Sequence, residues 1–370
     1  MVENKKKRAL DRIQIEIERI DKKKNTIYFF VVDTKGTPSG SLEYIYRLAK
    51  ITQDKGYNVV MLYDDDEFVG VDEWLGDEYK SLEHVNIGDE EVNVSPSDIL
   101  FIPELFTNVM RQTKKLPCKR IAILQNYDFI LEQMPYSAQW GDFGIMDAIC
   151  NTKINQQRLK EIFPYVKSEV ISPFIDDLCR ADSTPKDLVI NIISRDQTNI
   201  HRIIKPFYWK YPTYKWVTFR DLRGYPKELY ANKLKEGIAT IWVDEDTTFG
   251  YSAMDAMKAK NVVIAKVPNT IQDWMTNEDG TLNDSCLWFE RFDELHTIIA
   301  SVVRSWVTDK IPSAIEEECE KVVKDYNKEK TENEFVSYLE NVLKKRKKDM
   351  TSLFKYMETK TEESVGEEDA

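Results

Sequence analysis

The sequence predicts an α/β protein of two Rossmann-like domains with a helical C-terminal extension, and three observations carry that prediction. Short aliphatic runs alternate with segments of helical periodicity from residue 26 to residue 305, the order that builds parallel sheets covered by helices. At 370 residues the chain is too long for one ordinary core and fits two domains. The charged, proline-containing stretch Asp176–Lys186 interrupts the alternation and reads as an interdomain linker.

Residues 1–25 are lysine-rich, with Leu10, Ile13, Ile17 and Ile20 at helical spacing, and read as an N-terminal helix. A first domain follows over residues 26–175. It opens on the strand Thr26–Val32, a Gly- and Pro-rich turn at Lys35–Gly40, a helix over 41–55 with Leu42, Ile45, Leu48 and Ala49 on one face, and the strand Tyr57–Tyr63: a βαβ unit. Strands at Ile99–Ile102 and Arg120–Leu124, a helix over 145–163 and a short strand at Glu169–Ser172 complete it. The second domain, 176–310, repeats the logic: strands at Leu188–Ile193, Lys215–Phe219, Ile238–Val243 and Asn261–Lys266, with helices over 198–210 and 226–236. C-terminal helices occupy 311–357. Residues 358–370, rich in acidic side chains and without an aromatic, read as a disordered tail.

Lys and Arg total 52 against 64 Asp and Glu, a net charge of −12, which disfavours a surface built throughout to attract nucleic acid. Five scattered cysteines without a C-x-x-C pair encode neither a disulfide framework nor a zinc site and suit a reducing compartment. The N-terminus lacks the apolar core of a signal peptide and no apolar run is long enough to span a bilayer, so the expectation is a cytoplasmic protein, at most peripheral at the inner membrane surface. That contact would use the basic run Lys344–Lys348, flanked by Val342, Leu343, Met350, Leu353 and Phe354, which equally suits nucleic-acid phosphates or a charged helix packed on its own protein.

Residues 244–263 form the most informative stretch: an acidic loop after an aliphatic strand, one glycine, a small-residue helix, then another strand. That order puts a helix N-terminus, with its free backbone N–H groups, at the mouth of a parallel sheet, where a phosphate is held. Asp64, Asp65 and Asp66 superficially resemble a metal loop, but a solvated turn at a strand end fits them better, and no metal is expected.

Four segments together resemble the GT-B glycosyltransferases, specifically the retaining nucleotide-sugar-dependent class called family 4. They are Pro38-Ser-Gly-Ser-Leu-Glu-Tyr with Lys55-Gly-Tyr-Asn-Val; Cys150-Asn-Thr-Lys with Val170-Ile-Ser-Pro-Phe; Pro226-Lys-Glu-Leu-Tyr through Ile241-Trp-Val; and Phe249-Gly-x-x-x-x-Asp-Ala-Met. The resemblance implies two Rossmann-like domains facing across a cleft and a UDP- or GDP-sugar donor. The family's Arg–Lys pair after the first strand of the second domain falls on Arg195, with Arg202 and Lys205 further on than expected. Its two glutamates, seven residues apart, fall on Thr247 and Asp255. The pattern is degenerate, and Asp244, Glu245 or Asp246 would have to replace the first carboxylate.

By the same resemblance, Gly250, Tyr251 and Ser252 beside Phe249 would bring backbone N–H groups to the diphosphate, and Gly40 and Ser41, with Thr37 and Ser39 as neighbours, would meet it from the first domain. The family's histidine near the reacting sugar falls on Gln125 or Asn126, which hydrogen-bond but do not titrate. Retaining transfer tolerates that loss; inverting transfer needs a carboxylate base, for which Asp128 and Glu104 are candidates. The three histidines, His84, His201 and His296, read as structural. The acceptor, a glycan, lipid-linked sugar, protein or modified DNA base, is open. A competing expectation is a nucleotide-sugar-binding or scaffold protein that kept the fold without turnover, since the motif departs at Thr247 and Asp255.

Overall fold

The computed structural model describes residues 2–65, 68, 73–89, 91–246, 249–308 and 313–366. The chain divides into two compact units, one of Met1–Cys150, Asn155–Ile171 and Glu332–Ala370, the other of Asn151–Ile154 and Ser172–Thr331.

In the first unit helix α1 (Val2–Asp21) precedes strand β1 (Thr26–Phe30), whose β-branched and aromatic residues are all buried. Helix α2 (Gly40–Asp54) starts where Ser39, in an extended conformation, accepts the Leu42 N–H on its hydroxyl at 3.4 Å. Strands β2 (Asn58–Tyr63), β3 (Glu83–Asn86) and β4 (Ile99–Pro103) follow, then α3 (Thr107–Gln112), β5 (Lys119–Leu124), α4 (Tyr127–Gln133), β6 (Asp147–Cys150), α5 (Lys153–Ile162) and β7 (Lys167–Val170). All seven strands pair in parallel in the order β3-β2-β1-β4-β5-β6-β7. The helix expected over 145–163 is half wrong, because β6 occupies its first part. Ile145, Ala148 and Ile149 have helical spacing, yet each is fully buried, as in an interior strand covered on both faces.

The second unit contains β8 (Asp187–Ser194), α6 (Thr198–Lys210), β9 (Thr218–Asp221), α7 (Lys227–Glu236), β10 (Gly237–Val243), α8 (Tyr251–Lys258), β11 (Val262–Lys266), β12 (Leu287–Phe289), α9 (Phe292–Val307) and α10 (Ser313–Asp325). Its five parallel strands run β12-β11-β10-β8-β9. Alternate residues feed two cores: Trp242, Val263 and Ala265 join one with α8, while Ile241, Val243 and Ile264 join the other with α6 and α9.

Helix α11 (Lys328–Gly366) returns the chain to the first unit, where Phe335, fully buried, lies 5.8 Å from Phe101 and 6.5 Å from Phe29, ring to ring. Within the basic run Lys344–Lys348, Arg346 and Lys347 are used internally. Arg346 donates to the carbonyls of Pro96 (3.0 Å) and Pro117 (2.7 Å), and Lys347 reaches Asp21 of α1 at 2.5 Å. Lys344, Lys345 and Lys348 are exposed. The helix runs as far as Gly366.

Candidate functional site

In an open parallel sheet, ligands bind outside the carboxyl ends of the strands where the strand order reverses. Each unit has one such point, formed by β8 and β10 in the second and by β1 and β4 in the first.

At the second unit's reversal, Arg195 leaves β8 and Asp244 leaves β10. The guanidinium stands 3.3 Å from the carboxylate, its side chain 76% exposed while that of Asp244 is 16% exposed. Burial raises the Asp244 carboxyl above its usual range, and the charge of Arg195 works against that rise. Asp244 therefore anchors one side of a cation whose other side faces solvent. The rest of the acidic loop is internally tied: Glu245 lies 3.7 Å from Lys266, its carbonyl accepts the Asn269 N–H at 2.8 Å, and Asp246 accepts the Asn269 amide at 2.9 Å. Thr247, the position matching the family's first glutamate, lies outside the described residues.

Helix α8 opens at Gly250, which is left-handed (φ 88°, ψ 39°) and offers no side chain to cap the N-terminus. A Cβ there would stand 2.9 Å from Trp274 and 3.2 Å from Trp242. Trp274 is fixed by donating its indole N–H to the Phe249 carbonyl at 2.6 Å, and Phe249 is itself fully buried between Tyr251 and Tyr326. Phe249 thus anchors the turn from inside. Tyr251 and Ser252, half-buried, form the first helical positions.

One turn along, Asp255 receives the Tyr230 hydroxyl of α7 at 3.5 Å and sits beside the Cys179 thiol. Burial first, and the charge of Asp255 next, keep Tyr230 well above the usual phenol range, so it stays a donor. Of the outlying cations, Arg202 lies over the ring of Phe292 at 5.6 Å and Lys205 is exposed on α6. Sequence reasoning missed Arg223, at the turn after β9, which grips Asp221 through Nε and Nη2 at 2.9 and 2.6 Å. Its signal was a strand running into Asp-Leu-Arg-Gly. Tyr230 lay within a quoted segment but had no role there.

In the first unit, the structure joins two candidates directly: Gln125, after β5, donates its amide to the Ser41 carbonyl in the first turn of α2 at 2.9 Å. Gln125 is 2% exposed, and its own carbonyl accepts from Asn155 at 2.8 Å. Its neighbour Asn126 caps α4, accepting the Asp128 N–H at 3.0 Å. Both amides are therefore positioning groups in this fold. Gly40 and Ser41 are half-buried at the start of α2, Thr37 is exposed, and Ser39 is the cap.

Glu104, at the end of β4, ties this corner together: one oxygen accepts the backbone N–H groups of Gln125 (3.1 Å) and Asn126 (2.6 Å). Its other oxygen and the Gln125 side-chain oxygen are buried without a hydrogen-bond partner. Desolvation pushes the carboxyl up to about 7, against the pull of those N–H groups. Asp128, the other acid considered as a base, is exposed.

His84 pairs with the Tyr46 hydroxyl (3.0 Å) and the Leu82 carbonyl (2.9 Å), and burial lowers its pKa; His201 is exposed and His296 lies beside Tyr211. Among the described residues, no group of three or more His, Cys, Asp and Glu is placed to hold a metal, and no helix is long and apolar enough to cross a membrane.

No protein-family model matches the chain, and no curated protein matches it in sequence. Solved structures do match in fold. A sucrose-phosphate synthase from Thermosynechococcus elongatus superposes with a TM-score of 0.59 at 11% identity over 86% of this chain and 99% of its own. The pneumococcal O-GlcNAc transferase GtfA, solved with UDP and GlcNAc, gives 0.56 at 10% over 86% and 99%. A glycosyltransferase from Rickettsia africae gives 0.59 at 13% over 87% and 98%. Two parallel sheets with their helices and the C-terminal helical extension make the fold that of the GT-B glycosyltransferases.

Proposed function

We propose that the chain is a glycosyltransferase that moves a sugar from a UDP- or GDP-linked donor to a glycan acceptor, with retention and without a metal. The carboxyl edge of the second unit's sheet supports this reading most strongly: the exposed guanidinium of Arg195, braced by buried Asp244 after β10, the strand that leads into the uncapped N-terminus of α8. As the glycosidic bond breaks, the departing diphosphate gains negative charge, which a fixed cation and a helix N-terminus stabilise without a divalent ion. In this reading Asp255, oriented by Tyr230, and Glu245 accept hydroxyls of the ribose and sugar, and Ser252 and Tyr251 offer backbone N–H groups. Gln125 and Ser41 hold the first unit's turn in place.

A melting screen with UDP-glucose, UDP-N-acetylglucosamine and GDP-mannose tests it, because a ligand at a hundred times its Kd stabilises the folded state by about 2.7 kcal/mol. The donor is expected to raise Tm, and Arg195→Ala to weaken its binding about 10- to 100-fold, the worth of one hydrogen bond to a charged group. Asp255→Ala is expected to weaken it as well. No shift with any nucleotide sugar, together with no release of nucleoside diphosphate, would overturn the proposal; activity abolished by EDTA would overturn its metal-free part.

One observation favours a second reading, donor binding without turnover. The side chains of Gln125 and Asn126 each spend one hydrogen-bonding group within the fold. Donor hydrolysis without acceptor decides: a melting shift with no hydrolysis and no transfer to any glycan selects the binding protein.

A further inference from the structure

We infer that the second unit carries a docking surface for single-stranded nucleic acid, at the end of its sheet opposite Arg195. Between Asp196 and Asp221 the chain has no acidic residue, but five Lys or Arg and seven aromatic residues, within a protein of net charge −12. Phe207 goes to the core and Tyr208, Tyr211, Tyr214 and Phe219 pack partly against it, whereas Trp209 stays 76% exposed and Trp216 53% exposed. Lys210 and Lys215, next to them in sequence, are exposed too.

Helix α6 leads from the carboxyl end of β8 to the amino end of β9, so residues 209–216 stand at the amino edge of the sheet, away from the proposed donor site. The indole of Trp216 is held edge-on against Tyr214 (5.8 Å, 73°), which stacks on Tyr211 (5.8 Å, 20°). That row fixes the orientation of Trp216, whose ring folding leaves half-exposed. Bases stack on such a surface whatever their sequence, and phosphates take the flanking ammonium groups. A lipid surface fits less well. The apolar side of α6, Ile203 and Phe207, is spent in the core, and its outer positions carry Arg202, Lys205 and Trp209, leaving no aliphatic stripe to insert.

This inference stands apart from the glycosyltransferase reading. Its test is fluorescence anisotropy of the full-length protein with labelled oligo(dT) of roughly 20 nucleotides, longer than the ~4–16 nucleotides that one stacking platform covers. Binding is expected at about 50 mM salt and should weaken steeply towards about 200 mM. The double variant Trp209→Ala/Trp216→Ala should lose at least about tenfold in affinity and most of the tryptophan quenching, with an unchanged circular dichroism spectrum. Lys210→Gln/Lys215→Gln should weaken binding and flatten the salt slope while keeping the quenching. Absence of binding, binding indifferent to both variants, or tryptophan-dependent binding to phosphatidylglycerol vesicles with none to the oligonucleotide would each overturn it, the last by making the surface a membrane contact.

Discussion

Gly250→Ala is expected to destabilise the second unit by about 2–5 kcal/mol and to lose donor binding. Two costs combine. The residue is left-handed, which penalises any L side chain by roughly 1–2 kcal/mol. The new methyl would also stand 2.9 Å from Trp274 and 3.2 Å from Trp242, and overpacking of this kind adds about 1–3 kcal/mol. Trp274 has little room to yield, because its N–H is bound to the Phe249 carbonyl and its ring packs between Trp242 and Trp288 at 6.3 and 6.2 Å. Gly280→Ala is the matched control: also left-handed in the same unit, but with nothing within 4 Å of the added Cβ, it should cost the strain alone. Urea unfolding followed by tryptophan fluorescence separates the two. Equal losses at both positions would show that the indoles give way and that the turn is not held as described.

The same glycine shows where the sequence could be read and where it could not. Its place after an aliphatic strand and before a small-residue helix was plain, and so was the need for a backbone without a Cβ. The reason expected was close approach to a donor; the structure adds an internal one, two tryptophans thirty-two positions apart that the fold brings together. Central strands such as β8 and β10 were legible because burial on both faces demands continuous aliphatic runs. Short edge strands were not: β3 reads Glu-His-Val-Asn and β12 has three residues, too few to show a period. Nor could the run Lys344–Lys348 reveal that Arg346 and Lys347 serve contacts within the first unit, since their partners lie more than two hundred residues away. At the candidate site, residue types could be named from the sequence, but not that Gln125 binds Ser41 or that Tyr230 orients Asp255, because such pairs depend on the strand order.

Glu104 should give the protein a stability that falls as pH rises from about 4.5 to about 7, and Glu104→Gln should remove that fall. The ordinary carboxyl value is 4.5, and burial raises it to about 7 in the folded chain. Across that window the folded protein holds a proton that the unfolded chain has released, so folding takes one up and stability declines with pH, by at most about 3 kcal/mol. Below the window both states are protonated and above it both are ionised, so the contribution is flat. A titratable neighbour of this carboxyl is Cys150 of β6, whose thiol burial pushes up to about 12, outside the window. Glutamine has the same shape: its oxygen can stay under the Gln125 and Asn126 N–H groups, and its NH2 replaces the oxygen that has no donor. The variant should therefore match the parent near pH 4 and exceed it near pH 8. Glu104→Ala should instead cost about 2–4 kcal/mol at every pH, leaving the buried Gln125 N–H and the half-buried Asn126 N–H unpaired and a cavity beside the residue that positions the start of α2. Denaturant unfolding at a series of pH values reads all three proteins. Parallel curves for the parent and the glutamine variant would mean that Glu104 is ionised throughout, held by the two N–H groups more strongly than burial opposes it.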